Sequence, residues 1–294
     1  NDMEIATSGP NPVTVTGGNL TISGAGNFTV EGTSPAFLLA GTSAAVVTKD
    51  FTGNFKVTSN SNVINGGSRF EIDTTGDITL ETASTSSEPI ALSSGVVDLS
   101  GKKVTITAPC GMIDSGVSTL NLTQTEGDLV ISSSSLWYPI FNADNVTLKN
   151  TGGKVELENT STAVLTNSSL TIEAAGDISL KSANIITSKS NPQVSLTSTN
   201  GDVTIEQESS TYVIDTQNAV SLNAGGTVTL KRNTEGTALA SMVNGIFETG
   251  VIQLVDGTKK GAIVDGTVYA ASGCTHPKRI NGKCVVCDDQ EPVA

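Results

Sequence analysis

The chain is poor in basic residues, aromatics, proline and cysteine, and each shortage removes a class of function. Its 294 residues hold 16 Lys+Arg against 29 Asp+Glu, a formal net charge of -13. Such a surface repels phosphates, which argues against nucleic acid or an anionic membrane as a partner. No apolar run approaches the roughly 20 residues that span a bilayer, so membrane insertion is not expected. No basic segment followed by an apolar stretch opens the chain, and any export signal is therefore expected to have been removed. Helical periodicity is missing apart from a weak stretch from Ala238 to Phe247. Aromatics make up 4% of the chain, with one Trp, and there is one His.

What the chain has instead is glycine, 30 residues of it, and about a quarter Ser and Thr. A disordered hydroxyl-rich stalk would be one reading of that composition. The 37% of hydrophobic residues, rich in Val, Ile and Leu, argues for a packed core. A repeat organises these residues: a Gly, one or two polar residues, then an apolar-polar-apolar triplet. Clear instances are Gly26-Asn27-Phe28-Thr29-Val30, Gly76-Asp77-Ile78-Thr79-Leu80, Gly176-Asp177-Ile178-Ser179-Leu180 and Gly201-Asp202-Val203-Thr204-Ile205. The repeat glycines from Gly26 to Gly250 follow one another at 27, 23, 25, 26, 26, 23, 25, 25 and 24 residues. A second column precedes each Gly unit, as in Phe70-Glu71-Ile72, Leu120-Asn121-Leu122 and Leu170-Thr171-Ile172. A looser third follows it, as in Phe37-Leu38-Leu39, Ile140-Phe141 and Val213-Ile214.

One such repeat cannot bury a core alone, whereas stacked repeats can, each strand pairing with its counterparts above and below. The expected fold is therefore all-β: a single-stranded parallel β-helix (solenoid) of about ten coils with three short strands per coil, wound right-handed. It is expected over residues 1–270, with a small Cys/His module and linker at 271–294. The glycine column suits a corner that needs positive φ or a close backbone approach.

Few residues carry chemistry. Cys274, His276, Cys284 and Cys287 use the single His and three of the four Cys. Thiolates and an imidazole arriving from two turns suit a structural, tetrahedral zinc site without an open position for water. A disulfide between two of these thiols, or a free tail, is the alternative. Cys110 reads as a buried core thiol. Asp77, Asp128, Asp177 and Asp202 occupy one corner column, and Asp177 and Asp202 fall in neighbouring coils. Two carboxylates at strand spacing would suit calcium, or else cap their own turns. Glu71 and Asp98 pose the same question in the second column. Trp137 and Tyr138, in Trp137-Tyr138-Pro139-Ile140-Phe141, offer rings that stack on sugar faces or simply fill the core. Thr21, Asn121, Thr147, Thr171, Ser195 and Ser221 would form an outward polar ladder that suits polysaccharide. Charges at Glu71, Asp98, Lys56 and Glu156 interrupt it as an ice-binding surface.

The run from Cys274 to Asp288 resembles small CxH…GxCxxC modules of exported surface proteins of anaerobic Gram-positive bacteria. The coils resemble the pectate-lyase-like β-helix superfamily, especially its non-catalytic, adhesin-like or carbohydrate-binding surface members. That resemblance implies an extracellular, bacterial cell-surface binding module for polysaccharide or host glycan. It implies no organic cofactor. The catalytic members' NTD, GHG and RIK motifs are absent, and the adjacent pair Asp288-Asp289 lies in the tail. No catalytic residue is therefore assigned. A polysaccharide lyase or glycoside hydrolase with a site assembled across coils is the alternative, and a passive cell-surface spacer is another.

Overall fold

The computed structural model describes residues 2–110, 113–135, 138–187, 191–208, 212–233, 239–247, 251–264, 266–270, 279–280 and 283–284. They form a parallel β-solenoid of about nine turns, close to the ten coils expected. The apolar-polar-apolar triplets become strands because alternate side chains point to opposite faces, and only the inward face needs to be apolar.

Three parallel columns account for the wall. In the first, Phe28 aligns with Phe55, Ile78 and Val104. After a break, Leu129 aligns with Val155, Ile178, Val203 and Val228. In the second, Leu20, Val46, Phe70, Val97, Leu120, Val146, Leu170, Val194 and Val220 share one inward row. The third runs through Val13, Phe37, Ile64, Ile90, Ile113, Phe141 and Val164. Val46, Val13 and Ile64 fill places that the sequence pattern leaves vacant. In the middle of the stack the three short strands fuse: Val155–Ala174 is one 20-residue strand that serves all three columns in turn.

Packing inside follows the rows. Phe28 stacks on Phe55 with ring centroids 5.2 Å apart, and Phe70 meets Phe55 edge-on at 6.3 Å. Beyond this aromatic group the core is aliphatic apart from Phe141, and Leu80, Leu99, Leu157 and Leu180 are fully buried. Each such side chain contributes about 1.5–3 kcal/mol.

The corners pose the harder problem, because main-chain polar groups turn inward there. Inward Ser, Thr, Asn and Gln residues resolve it by bonding to the coil below. Ser59 Oγ donates to the Ser34 carbonyl (2.7 Å), Ser198 Oγ to Gly176 (2.7 Å) and Thr216 Oγ1 to Pro192 (2.8 Å). Asn150 does two jobs: Nδ2 donates to the Gly127 and Lys154 carbonyls, and Oδ1 accepts the Gly152 amide (3.0 Å). Gln124 sits at the break in the first column. The Val104 amide donates to its Oε1 (3.0 Å), where the amides of Phe55, Ile78 and Leu129 reach main-chain carbonyls of the next coil.

The winding ends in an antiparallel reversal. Val251–Asp256 is the last strand of the first column, and Lys259–Val264 and Thr267–Ala270 fold back on it. The weakly helical stretch after Ala238 becomes a 3-10 turn at Leu239–Met242 and a strand at Val243–Phe247. At this end Arg232 and Asp256, neighbours in register, form a bidentate pair (Nε–Oδ1 2.9 Å, Nη2–Oδ2 2.8 Å) with 1% and 0% exposure.

Removing one member of that pair strands a buried charge. Asp256→Ala is expected to cost about 3–5 kcal/mol in urea unfolding, whereas Arg232→Met with Asp256→Leu restores most of it. Equal losses in both variants would contradict a desolvated pair.

Candidate functional site

The corner aspartates come from the turn that precedes each first-column strand. Asp177 Oδ1 accepts the main-chain amide of Asp202 (2.8 Å), and Asp202 Oδ1 accepts that of Thr227 (2.6 Å). The same bond joins Asp2 to Asn27, Asn27 to Asn54, Asn54 to Asp77 and Asp128 to Lys154. These side chains therefore cap the following coil, not their own turn. At three repeat glycines this cap leaves no room for a side chain. A Cβ at Gly153 would lie 2.5 Å from Asp128 Oδ1, and one at Gly201 or Gly226 would collide with Asp177 or Asp202 Oδ1. Of the repeat glycines, Gly26, Gly53 and Gly127 also have positive φ. Among the described residues, no group of three or more His, Cys, Asp and Glu side chains is placed to hold a metal ion.

Glu71 and Asp98 are neighbours in register. Arg69 clamps Glu71 through Nε at 2.8 Å and through its terminal nitrogen. Asp98 takes a long hydrogen bond from Asn121 Nδ2 (3.5 Å). Burial pushes the Asp98 carboxyl above its ordinary value; the Asn121 bond opposes this, and the charges of Glu71 and Asp73 reinforce it.

The outward row beyond Asp98 is in strict register: Asn121, Thr147, Thr171, Ser195 and Ser221. It carries no charge. Flanking it, Lys149 is paired with Glu173 at 3.0 Å. Unlike the inward hydroxyls, those of Thr147, Thr171 and Ser195 have no hydrogen-bond partner in the protein among the described residues. All three are half-buried, side by side in three successive coils.

A groove of about 380 Å³ lies at the other end of the first-column strands, lined by Ser132–Ser134, Glu158, Asn159, Thr160, Lys181 and Glu208 among others. Lys181 Nζ lies 2.9 Å from Glu158 and 3.8 Å from Glu208. The hydrogen bond and charge of Glu158 push the Lys181 ammonium above its ordinary value, so it stays cationic. Charge alternates along this outward row, Glu158, Lys181, Glu206, Lys231. Burial alone would raise Glu206, but bonds from Asn233 and Lys231, with the charges of Lys231 and Lys181, hold it below the usual carboxylate range.

Tyr138 meets the groove residue Asn159 through its main chain. Its amide donates to Ser135 Oγ (2.9 Å), its carbonyl accepts Asn159 Nδ2 (3.0 Å), and its side chain is exposed. Trp137, Cys274, His276 and Cys287 lie outside the described residues. Of Cys284 only the backbone is described, in a two-residue strand opposite Arg279–Ile280. Cys110 is buried, with Sγ 2.9 Å from the Ser87 carbonyl. Sequence reasoning missed Asn159 and Glu208. Asn159 shares the parity of the inward apolar residues Val155 and Leu157, a signal that marks an inward polar side chain. Comparison with protein families, curated proteins and solved structures finds no match to this chain.

Two outcomes follow. Gly201→Ala should lower the melting temperature more than Asp177→Ala, which forfeits one hydrogen bond worth about 1 kcal/mol; the reverse order would contradict the close-approach role. Asp98 holds its proton more tightly in the folded chain, so its contribution to stability is complete at acid pH and is lost as pH rises through its folded value. Asp98→Asn is therefore expected to melt higher than the parent at pH 7 and to match it below about pH 4.

Proposed function

We propose that this chain is a secreted, cell-surface binding module of adhesin type whose ligand is a polysaccharide or host glycan. The observation that carries this reading is the uncharged outward row from Asn121 to Ser221, with three adjacent hydroxyls that no group among the described residues engages. Hydroxyls repeated at the strand spacing of about 4.8 Å match the length scale of one sugar ring, and a rigid sheet presents them without ordering cost. The half-buried row lets a flat polymer replace water along several coils at once. A surface with a charge of -13 favours uncharged polymers over acidic ones.

The test is retention on a panel of insoluble neutral polysaccharides, with new chain ends scored in the same tubes. The parent should be retained without cleavage. Thr147→Val with Thr171→Val, which removes two hydroxyls and keeps shape, should weaken retention about tenfold at unchanged melting temperature. Retention indifferent to these changes would sink the row as the contact surface.

A second reading has its own observation: Glu158 and Glu208 bring two carboxylates into one groove, the minimum equipment for glycoside hydrolysis. New chain ends that disappear with Glu158→Gln or Glu208→Gln would favour it. A protein that neither retains nor cleaves any polymer would be a spacer.

A further inference from the structure

Asp98 stands at one end of the uncharged outward row: Glu71, Asp98, Asn121 and Thr147 are successive neighbours in register. Val97 and Leu99 on either side of it are buried at 0% exposure, so the Asp98 side chain points outward. Other outward carboxylates have cations: Arg69 clamps Glu71, Lys149 pairs with Glu173 and Lys154 with Glu156. Asp98 has no ion pair among the described residues, and the guanidinium in the neighbouring strand is committed to Glu71. Its one hydrogen bond among them is the long one from Asn121 Nδ2 to Oδ2 (3.5 Å). Oδ1 takes no donor and is not among the atoms sealed from solvent. The residue is nevertheless half-buried, and burial is the leading reason that it holds its proton more tightly. A partly desolvated carboxylate without a cation costs stability, and such groups concentrate where a ligand supplies the missing partners.

We propose that Asp98 is the specificity-determining residue of the row, its carboxylate accepting two hydroxyls on adjacent ring carbons of a neutral polysaccharide. An ionised carboxylate only accepts, and its two oxygens lie side by side, which suits a vicinal pair of donors. Hydrogen bonds to an ionised acceptor are about twice as strong as neutral ones, so a diol held here outweighs a hydroxyl held by Thr147 or Thr171. Asn121, one coil on, adds an amide to the same sugar unit, and half-buried Val96 adds an apolar contact on the same outward face. The substrate class is a neutral 1,4-linked hexan, which leaves the hydroxyls at C2 and C3 free in every unit. The inner units of a 1,3-linked chain have no adjacent pair of free hydroxyls. An acidic sugar brings a further negative charge against Asp98 and Glu71. The inference rests on the glycan-binding reading above and deepens it: the hydroxyls supply contact, and Asp98 selects the linkage.

The experiment measures retention of the full chain on an insoluble 1,4-linked glucan and on an insoluble 1,3-linked glucan. The 1,4-linked polymer should bind about tenfold more tightly. Asp98→Asn keeps the shape and removes the charge. It should erase that preference while the melting temperature at pH 7 rises, which separates lost recognition from lost folding. Thr147→Val with Thr171→Val should instead weaken retention on both polymers and leave their ratio unchanged. The charged groups near Asp98 are Arg69, Glu71 and Asp73 of the preceding coil, whereas the following coil presents Thr119, Asn121 and Thr123. Retention of the parent on the 1,4-linked glucan should weaken as pH falls through the Asp98 titration, and that of Asp98→Asn should stay level. Equal retention of the parent on the two glucans, or a preference that survives in Asp98→Asn, would overturn the role of Asp98. If neutral polymers are retained through the row without regard to linkage, that role falls and the glycan-binding reading stands. If no polymer is retained at any pH, both fall.

Discussion

The solenoid depends on closing each corner without leaving a main-chain amide or carbonyl dry. Strands satisfy their own backbone by pairing with the coils above and below, but at a corner the chain leaves the ladder while still facing the interior. An unpaired polar group there would cost about 1–3 kcal/mol, and the cost would recur in every coil. The chain meets this with short side chains that reach the adjacent coil: Ser59, Ser198, Thr166 and Thr216 donate to carbonyls 22 to 25 residues earlier. On the outside of the corner, aspartate and asparagine accept the next coil's amide. Much of the Ser, Thr, Asn and Asp content is thus architectural. So are several of the repeat glycines: at Gly153, Gly201 and Gly226 a capping oxygen of the preceding coil occupies the space of a Cβ, and at Gly53, Gly76 and Gly101 a main-chain carbonyl of that coil does.

The same device sets what the surface can do. With every coil fixed to its neighbours at the corners, outward side chains fall into rows whose register is that of the backbone. Thr147, Thr171 and Ser195 gain their meaning from that alignment, since one hydroxyl on a mobile loop would say nothing. Inside the wall, Asn159 shares the structural duty of Asn150, but its buried Oδ1 has no hydrogen-bond partner.

The strand columns were legible in the sequence because alternation by two is a strong signal and the Gly-Asp and Gly-Asn corners recur every 25 residues or so. The inward polar residues were harder to see, although parity marks them. Ile178, Leu180 and Ser182 share one parity, as do Val228, Leu230 and Arg232, so Ser182 and Arg232 point inward with the apolar residues. Read as surface chemistry, Arg232 would be one of a few scattered bases; read by parity, it is an interior charge that requires a partner. The corner aspartates were recognised as a stack, but their partner, the amide of the following coil, is a main-chain group that no side-chain pattern records. Glu208 joins Lys181 only through the pitch of the coil, at 3.8 Å and 27 residues away in sequence.

The position of the Arg232–Asp256 pair also has a reason. Along the inward row at the end of the first column, Asn159, Ser182, Gln207, Arg232 and Asp256 are successive neighbours in register. Lower members of that row can borrow a carbonyl from the coil beneath. At the last coil the chain turns back antiparallel, and the corner that would have continued the pattern is replaced by a strand reversal. A guanidinium with its donors in a fixed fork, matched to one carboxylate and in reach of Ser241, closes the row where no further coil can. A hydrophobic pair would fill the volume equally well; what the ion pair adds is a requirement that both partners arrive together, because either charge buried alone is strongly destabilising.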